Sequence, residues 1–209
     1  MKKTEFSVEQ LHELCYQALE TELGGVQIYT TALKCAVNDD LHKEWEEYLD
    51  QTKRHVQVIT GVCKTLGLDV EADTPGRQVV RHLGQSLVQA MEMALGAGNR
   101  EGAQLVACEC VVLAETKDHA NWELIGRVAT EGKGDAKVLA ALKEAYDQVE
   151  DEEDHHIYHS KGFCRELWIQ SLGLPAVLPP PEERKQVETA IGASRAEQAR
   201  DEMPQKRTH

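Results

Sequence analysis

No apolar run in this chain approaches the roughly 20 residues that a membrane-spanning helix requires. The opening residues, Met1-Lys2-Lys3-Thr4-Glu5-Phe6, lead into Glu, Gln and His instead of a signal-peptide core, so a soluble cytoplasmic protein is expected. Positive charge is scarce as well: 23 lysines and arginines stand against 36 aspartates and glutamates, a formal net charge of −13. A field of that sign repels nucleic acid and anionic membranes and leaves metal ions, small molecules and protein surfaces as partners. There is no C-x-x-C pair. The six cysteines (Cys15, Cys35, Cys63, Cys108, Cys110, Cys164) fall in segments that read as helix, and Cys108 and Cys110 project about 200° apart there, too far to chelate one ion readily. This argues against a thiolate zinc or iron–sulfur centre and against the disulfide framework of small secreted domains; reduced, buried thiols are expected. Also missing are a glycine-rich phosphate loop, a G-x-S-x-G elbow and any Rossmann-type pattern, since no segment reads convincingly as a strand.

What is present is helical periodicity. Ser7-Val8-Glu9-Gln10 is a capping box, with Phe6 and Leu11 as its hydrophobic staple, so a helix begins at about residue 8. Leu11, Cys15, Ala18, Glu22, Val26, Tyr29 and Leu33 then recur at three- and four-residue steps, an inward stripe running to about Val37. Asn38-Asp39-Asp40 recaps the chain for a second helix, striped by Leu41, Trp45, Tyr48, Thr52, His55, Ile59, Val62 and Leu66 and stopped at Gly67. So short a connection predicts antiparallel neighbours. Thr74 as cap and Pro75 at the first helical position start an extra helix through about Leu95, which Gly96-Ala97-Gly98 ends. A third long helix spans about Arg100 to Thr130, with Leu105, Cys108, Val112, Glu115, His119 and Trp122 on one face, and Glu131-Gly132-Lys133-Gly134 stops it. Asp135 caps the last helix, where Leu142, Val149, Glu153, His156, Ser160, Phe163 and Leu167 align before Gly173 and Pro175 close it. The predicted fold class is all-α.

Four of these apolar stripes are interrupted by carboxylate or imidazole: Glu22 on the first, His55 on the second, Glu115 and His119 on the third, Glu153 and His156 on the fourth. An ionised group inside a packed core costs several kcal/mol unless it is paired or ligates a metal, so acidic and imidazole groups gathered at one level imply a shared cation. Glu153 and His156 form an E-x-x-H on one face, and Glu115 with His119 offers an i, i+4 chelate. The neighbouring Glu152 and His155 are one position out of phase and read as a surface pair. Tyr158 and His159 lie close enough in sequence to orient a ligand. Mixed carboxylate and imidazole ligands suit iron or manganese, with zinc as a further option.

From residue 8 to residue 172 the chain resembles the ferritin-like carboxylate proteins, whose bundles use a Glu from each of two helices and an E-x-x-H from each of the other two. Glu22 followed seven residues later by Tyr29, Glu115 on the third long helix, and Glu153 with His156 carry the likeness. The second helix departs from it, because Thr52 stands three residues before His55 where the family has a bridging glutamate. The stretch from Leu49 to Gly67 is similar to less studied ferritin-like stress proteins. The resemblance implies a four-helix bundle whose long crossover holds the extra helix, and a core site for one or two iron ions. It also implies chemistry toward dioxygen or peroxide, such as iron oxidation or peroxide removal under stress, the work of a ferroxidase, an oxidase or a peroxide-consuming oxidoreductase. Thr52 leaves a mononuclear or asymmetric site open beside a dinuclear one. Tyr29 is the candidate catalytic residue, as a redox-active phenol, or else a packing residue whose hydroxyl bonds a carboxylate. Two other readings stay open: an oxygen-dependent enzyme acting on an organic substrate, and a non-catalytic helical binding protein with a metal-free polar core.

The domain division expected is a helical bundle over 1–174 and a Pro-rich, charged, disordered tail over 175–209. Val79, Val80, Leu83, Leu87, Val88 and Met91 on the crossover helix are expected to cover the bundle or a partner in a homo-oligomer.

Overall fold

Ser7 accepts a hydrogen bond from the Gln10 amide and opens α1 (Val8–Cys35). Asn38 accepts from the Asp40 and Leu41 amides at the start of α2 (Asp39–Thr65), and Thr74, followed by Pro75, from the Arg77 amide at the start of α3 (Pro75–Gly96). Asn99 and Asp135 do the same for α4 (Arg100–Glu131) and α5 (Ala136–Ser171). Each cap satisfies amides that the first helical turn leaves unpaired. Gly67, Gly98 and Gly173 take positive φ just past the ends of α2, α3 and α5, where a side chain would be strained. The computed structural model describes residues 3–175, so the tail expected from residue 175 onward lies, but for Pro175, outside the described residues. Among the described residues there is no strand, only an isolated bridge between Thr4 and Gly132.

Helix contacts run from α1 to α2, α2 to α5, α5 to α4 and α4 back to α1, which closes a ring of four. Direction follows from the pairs that meet. Glu22 faces His55 and Tyr29 faces Tyr48, so α1 and α2 are antiparallel. Gln51 faces His156 while Arg54 faces Glu152, and Tyr29 faces Glu115 while Glu22 faces Trp122, so α2/α5 and α1/α4 are antiparallel too. Helix α3 lies outside the ring against α1 and α4 and runs parallel to α1, as Glu20–Arg77 and Gly24–Gly84 show. It returns the chain to the end from which α4 must start.

The core divides into two apolar clusters. One gathers Tyr29, Trp45, Tyr48, Met91, Cys108 and Phe163; the other gathers Leu11, Ile59, Trp122, Leu142 and Val149. Between them lies the polar level described below. Helix α1 packs against three helices, so it is buried on a broader arc than a single stripe: Gly25, Ile28 and Ala32 are fully covered, whereas the stripe positions Val26 and Leu33 are only half-buried. Buried Glu20 ties α3 to α1 through Arg77 at 2.9 Å and Arg81 at 2.8 Å, and Arg77 also donates to the Val70 and Ala72 carbonyls of the preceding loop. On α3, Val80 and Met91 are buried, whereas Val79 and Leu83 are exposed. All six cysteines are unbridged, and burial pushes the Cys15 thiol up to about 12.

Candidate metal centre

Midway along the ring, six polar side chains point into a space that solvent does not reach. Glu22 (0% exposed) comes from α1, His55 (1%) from α2, Glu115 (3%) and Asp118 (5%) from α4, and Glu153 (1%) and His156 (0%) from α5. His55 Nδ1 lies 3.0 Å from Glu153 Oε1 and 3.6 Å from Glu22 Oε1. His156 Nδ1 lies 3.5 Å from both Glu153 Oε1 and Glu115 Oε2. His55, Glu153 and His156 form one group of ligand atoms mutually within 4.8 Å; Glu22, Asp118 and Glu153 form a second. Glu153 belongs to both.

The outward-facing atoms of four of these residues are held in place. His55 Nε2 is 2.8 Å from Glu152 Oε2, and His156 Nε2 is 2.7 Å from Gln51 Oε1. An ionised carboxylate and an amide oxygen are acceptors only, so each Nε2 carries the proton and each Nδ1 is the atom turned inward. Trp122 Nε1 donates to Glu22 Oε1 at 2.7 Å, and the Tyr29 hydroxyl donates to Glu115 Oε1, also at 2.7 Å. The inward atoms, by contrast, satisfy no hydrogen bond: Glu22 Oε2, His55 Nδ1, Glu115 Oε2, Asp118 Oδ1, both Glu153 carboxylate oxygens and His156 Nδ1. Buried polar atoms left in that condition are rare in folded proteins and costly, of order 1–3 kcal/mol each. Oriented ligands with unpaired inward atoms fit a cation between them.

Five of the six metal-ligand residues expected from the sequence, Glu22, His55, Glu115, Glu153 and His156, are brought together, and Tyr29 lies beside them as a hydrogen-bond donor. His119 is a correction. It turns away from the cluster and pairs with Asp154 at 2.8 Å, its ring edge-on to Tyr158. The buried face of α4 advances by strict alternation of three and four residues through Cys108, Val111, Glu115, Asp118, Trp122, Ile125 and Ala129. The inward position after Glu115 is therefore Asp118, and Val112 likewise yields to Val111. Asp118 adds a buried carboxylate beside Glu22 and Glu153. The Thr52 hydroxyl donates to the Tyr48 carbonyl, and its methyl lies 3.1 Å from where a side chain on Gly25 would begin. Glu152 is not a surface partner of His155 but a support for His55, and Arg54 holds it at 2.8 Å. His159 bonds the Tyr48 hydroxyl, whose ring packs 4.3 Å from that of His156.

Without a metal the cluster must bind protons. Burial, followed by the repulsion of Asp118 and Glu153, pushes the Glu22 carboxyl well above the usual carboxylate range. Burial and the charges of Glu153 and Glu115 do the same to Asp118. Burial also disfavours charge on Glu153 and His156. There, however, the contacts with His156 and His55 hold the Glu153 carboxyl at about 2, and Glu115 with Glu153 raises the His156 imidazole to about 10. The signs follow by linkage. Raised Glu22, Asp118 and His156 stabilise the fold at low pH, and that stability is lost as pH rises through their folded values. Depressed Glu153 stabilises it above its ordinary value near 4.3, and that part is lost only as pH falls toward 2. The metal-free protein is therefore expected to be most stable near pH 4, the ordinary carboxylate value, and to lose melting temperature steadily above it, including from pH 6 to 9, in chelator. Added metal reverses that slope because it replaces the protons. A melting temperature in chelator that is flat or rising over this range would contradict the assignment.

Comparison with family models, with curated proteins and with solved structures yields no match.

Proposed function

We propose that this chain is a ferritin-like four-helix-bundle protein that holds two divalent cations, iron foremost, at an asymmetric site bridged by Glu153. The observation that carries the reading is the set of inward atoms without a hydrogen bond, on a group in which His55, His156, Glu22 and Glu115 are each anchored through their other atom. A metal-free polar core would satisfy those atoms with hydrogen bonds, whereas here they meet only in imidazole–carboxylate contacts of 3.0–3.6 Å. Charge agrees: four carboxylates around two neutral imidazoles balance two dications. One cation takes His55, Glu153 and His156, and the other takes Glu22, Asp118 and Glu153. Oxygen and nitrogen ligands without thiolate favour iron or manganese over a structural zinc.

When bound, iron supplies redox chemistry toward dioxygen or peroxide. The chain's own part is to exclude water with Trp122, Tyr29 and Tyr48, to fix both imidazole tautomers through Gln51 and Glu152, and to hold Glu115 with the Tyr29 hydroxyl. Tyr29 acts here as a positioning donor, its own phenol pushed well up by burial and by the Glu115 charge. The ring of helices, with a crossover helix outside it, agrees with the ferritin-like reading.

The test is elemental analysis after anaerobic loading with ferrous iron and desalting. Wild type is expected to retain about two ions per chain, and a His55→Ala, His156→Ala double variant with wild-type helical circular dichroism less than half of that. Wild-type protein that is folded yet retains under about a tenth of an ion per chain would sink the proposal.

A further inference from the structure

The sides of the cluster differ in what they present to an incoming cation. Between α2 and α5 the cluster is closed by Glu152 with Arg54, whose guanidinium repels a cation. Between α1 and α4 it is walled by Thr21 and Asn121, hydrogen-bonded to each other, and by the half-buried ammonium of Lys117. An apolar hollow of about 300 Å³ between α1, α3 and α4 lies outside that wall, lined by residues such as Ile28, Val80 and Leu87 and by none of the six cluster residues.

Between α4 and α5 a cleft of about 210 Å³ runs up to the edge of the cluster. It is lined by Glu123, Glu150 and Asp154, by His119 and Tyr146, and at its inner end by Glu153 and Trp122; no lysine or arginine lines it. Its carboxylates step inward from exposed Glu123 and Glu150, through half-buried Asp154, to buried Glu153. Neither oxygen of Glu153 makes a hydrogen bond, although Oε1 lies 3.0 Å from the His55 imidazole, so the cleft ends on a carboxylate and not on a neutral wall. Gly126 makes the packing possible: a side chain there would begin 2.6 Å from the Tyr146 ring. His119 and Asp154, 2.8 Å apart, stand side by side on the lining.

We propose that this cleft is the entry path for divalent cations, with Glu150 and Asp154 as transient ligands that pass the ion to Glu153 and His119 as the partner that holds Asp154 between passages. The proposal rests on the metal-site reading above and assigns His119 a place on the route to the site instead of in it. A falling series of carboxylates lets an ion exchange its water ligands stepwise, and a wall of one charge sign raises its local concentration.

The experiment follows uptake of cobalt(II) by the full chain in a stopped-flow instrument, reading the visible absorption of the protein-bound ion. It compares wild type, an Asp154→Asn, Glu150→Gln variant, and a Glu46→Gln, Asp50→Asn variant that removes the same charge from α2 outside the cleft. The cleft variant is expected to load about tenfold more slowly to the same final stoichiometry, and the control within about twofold of wild type. Equal rates in the cleft and control variants would overturn the path while leaving the site intact. A lower final stoichiometry in the cleft variant would also overturn it, by making these residues ligands. Folded wild type that binds no cobalt would overturn the site reading and the path together.

Discussion

Replacing Glu153 by glutamine is expected to abolish stoichiometric metal binding at both positions and to destabilise the metal-free protein as well. Glu153 is the one side chain shared by the two ligand groups, and both its oxygens face inward without a hydrogen bond. The amide keeps the volume but exchanges a ligand oxygen for an NH₂ group and removes one of four charges. One ion therefore loses its Glu153 ligand and the other keeps only a neutral amide oxygen, so affinity at both falls well beyond the roughly 10–100-fold that loss of a supporting hydrogen-bond partner costs. In chelator the effect has a different origin. The contacts with His156 and His55 hold Glu153 ionised, with its carboxyl at about 2, so the substitution breaks a buried ion pair, which costs about 3–5 kcal/mol. Equilibrium dialysis against ferrous or manganous ion measures the first effect, and urea unfolding in chelator measures the second. A Glu153→Gln variant that keeps one ion at wild-type affinity would show that the two positions do not share this residue.

How much of this was legible in the chain depended on the distance over which each signal acts. Caps are local, and Ser7, Asn38, Thr74 and Asp135 open α1, α2, α3 and α5 as their side chains predict. The α2 stripe from Leu41 to Val62 is buried at every expected position, because that helix presents one face to the core. The α4 stripe slipped at a definite point. A helix of 3.6 residues per turn permits a step of three or four after Glu115, and only continuation through Trp122, Ile125 and Ala129 decides for Asp118 over His119. Glu152 escapes its own helix's periodicity for another reason: there it is out of phase with the core, and its partners, His55 and Arg54, both come from α2. Gln51, Trp122 and Glu20 belong to the same class, since their hydrogen bonds join residues about 60 to 105 positions apart. Periodicity along one helix carries no information about such pairs.

Asp118→Asn is expected to move stability and metal binding in opposite directions. In the metal-free chain, burial and the charges of Glu153 and Glu115 push the Asp118 carboxyl well above its usual range, so the folded protein favours the protonated acid. Asparagine has the shape and neutrality of that acid. At pH 4, near the ordinary aspartate value, the variant should unfold at nearly the wild-type urea concentration. With rising pH, wild type loses stability by up to about 1.4 kcal/mol per pH unit for each such group, and the variant is relieved of one group's share, so at pH 8 it should be the more stable of the two. With metal the sign reverses. The ion held by Glu22, Asp118 and Glu153 loses a charged ligand, while His55, Glu153 and His156 remain complete for the other, so binding should fall from about two ions to about one. A side chain kept for packing would give the reverse pattern: loss of stability at every pH from the broken core, and no selective loss of one ion. A variant that still binds two ions at wild-type affinity would remove Asp118 from the ligand set. Stability that rises at pH 8 while one ion is lost is what a carboxylate placed for a cation, at the expense of the empty core, must produce.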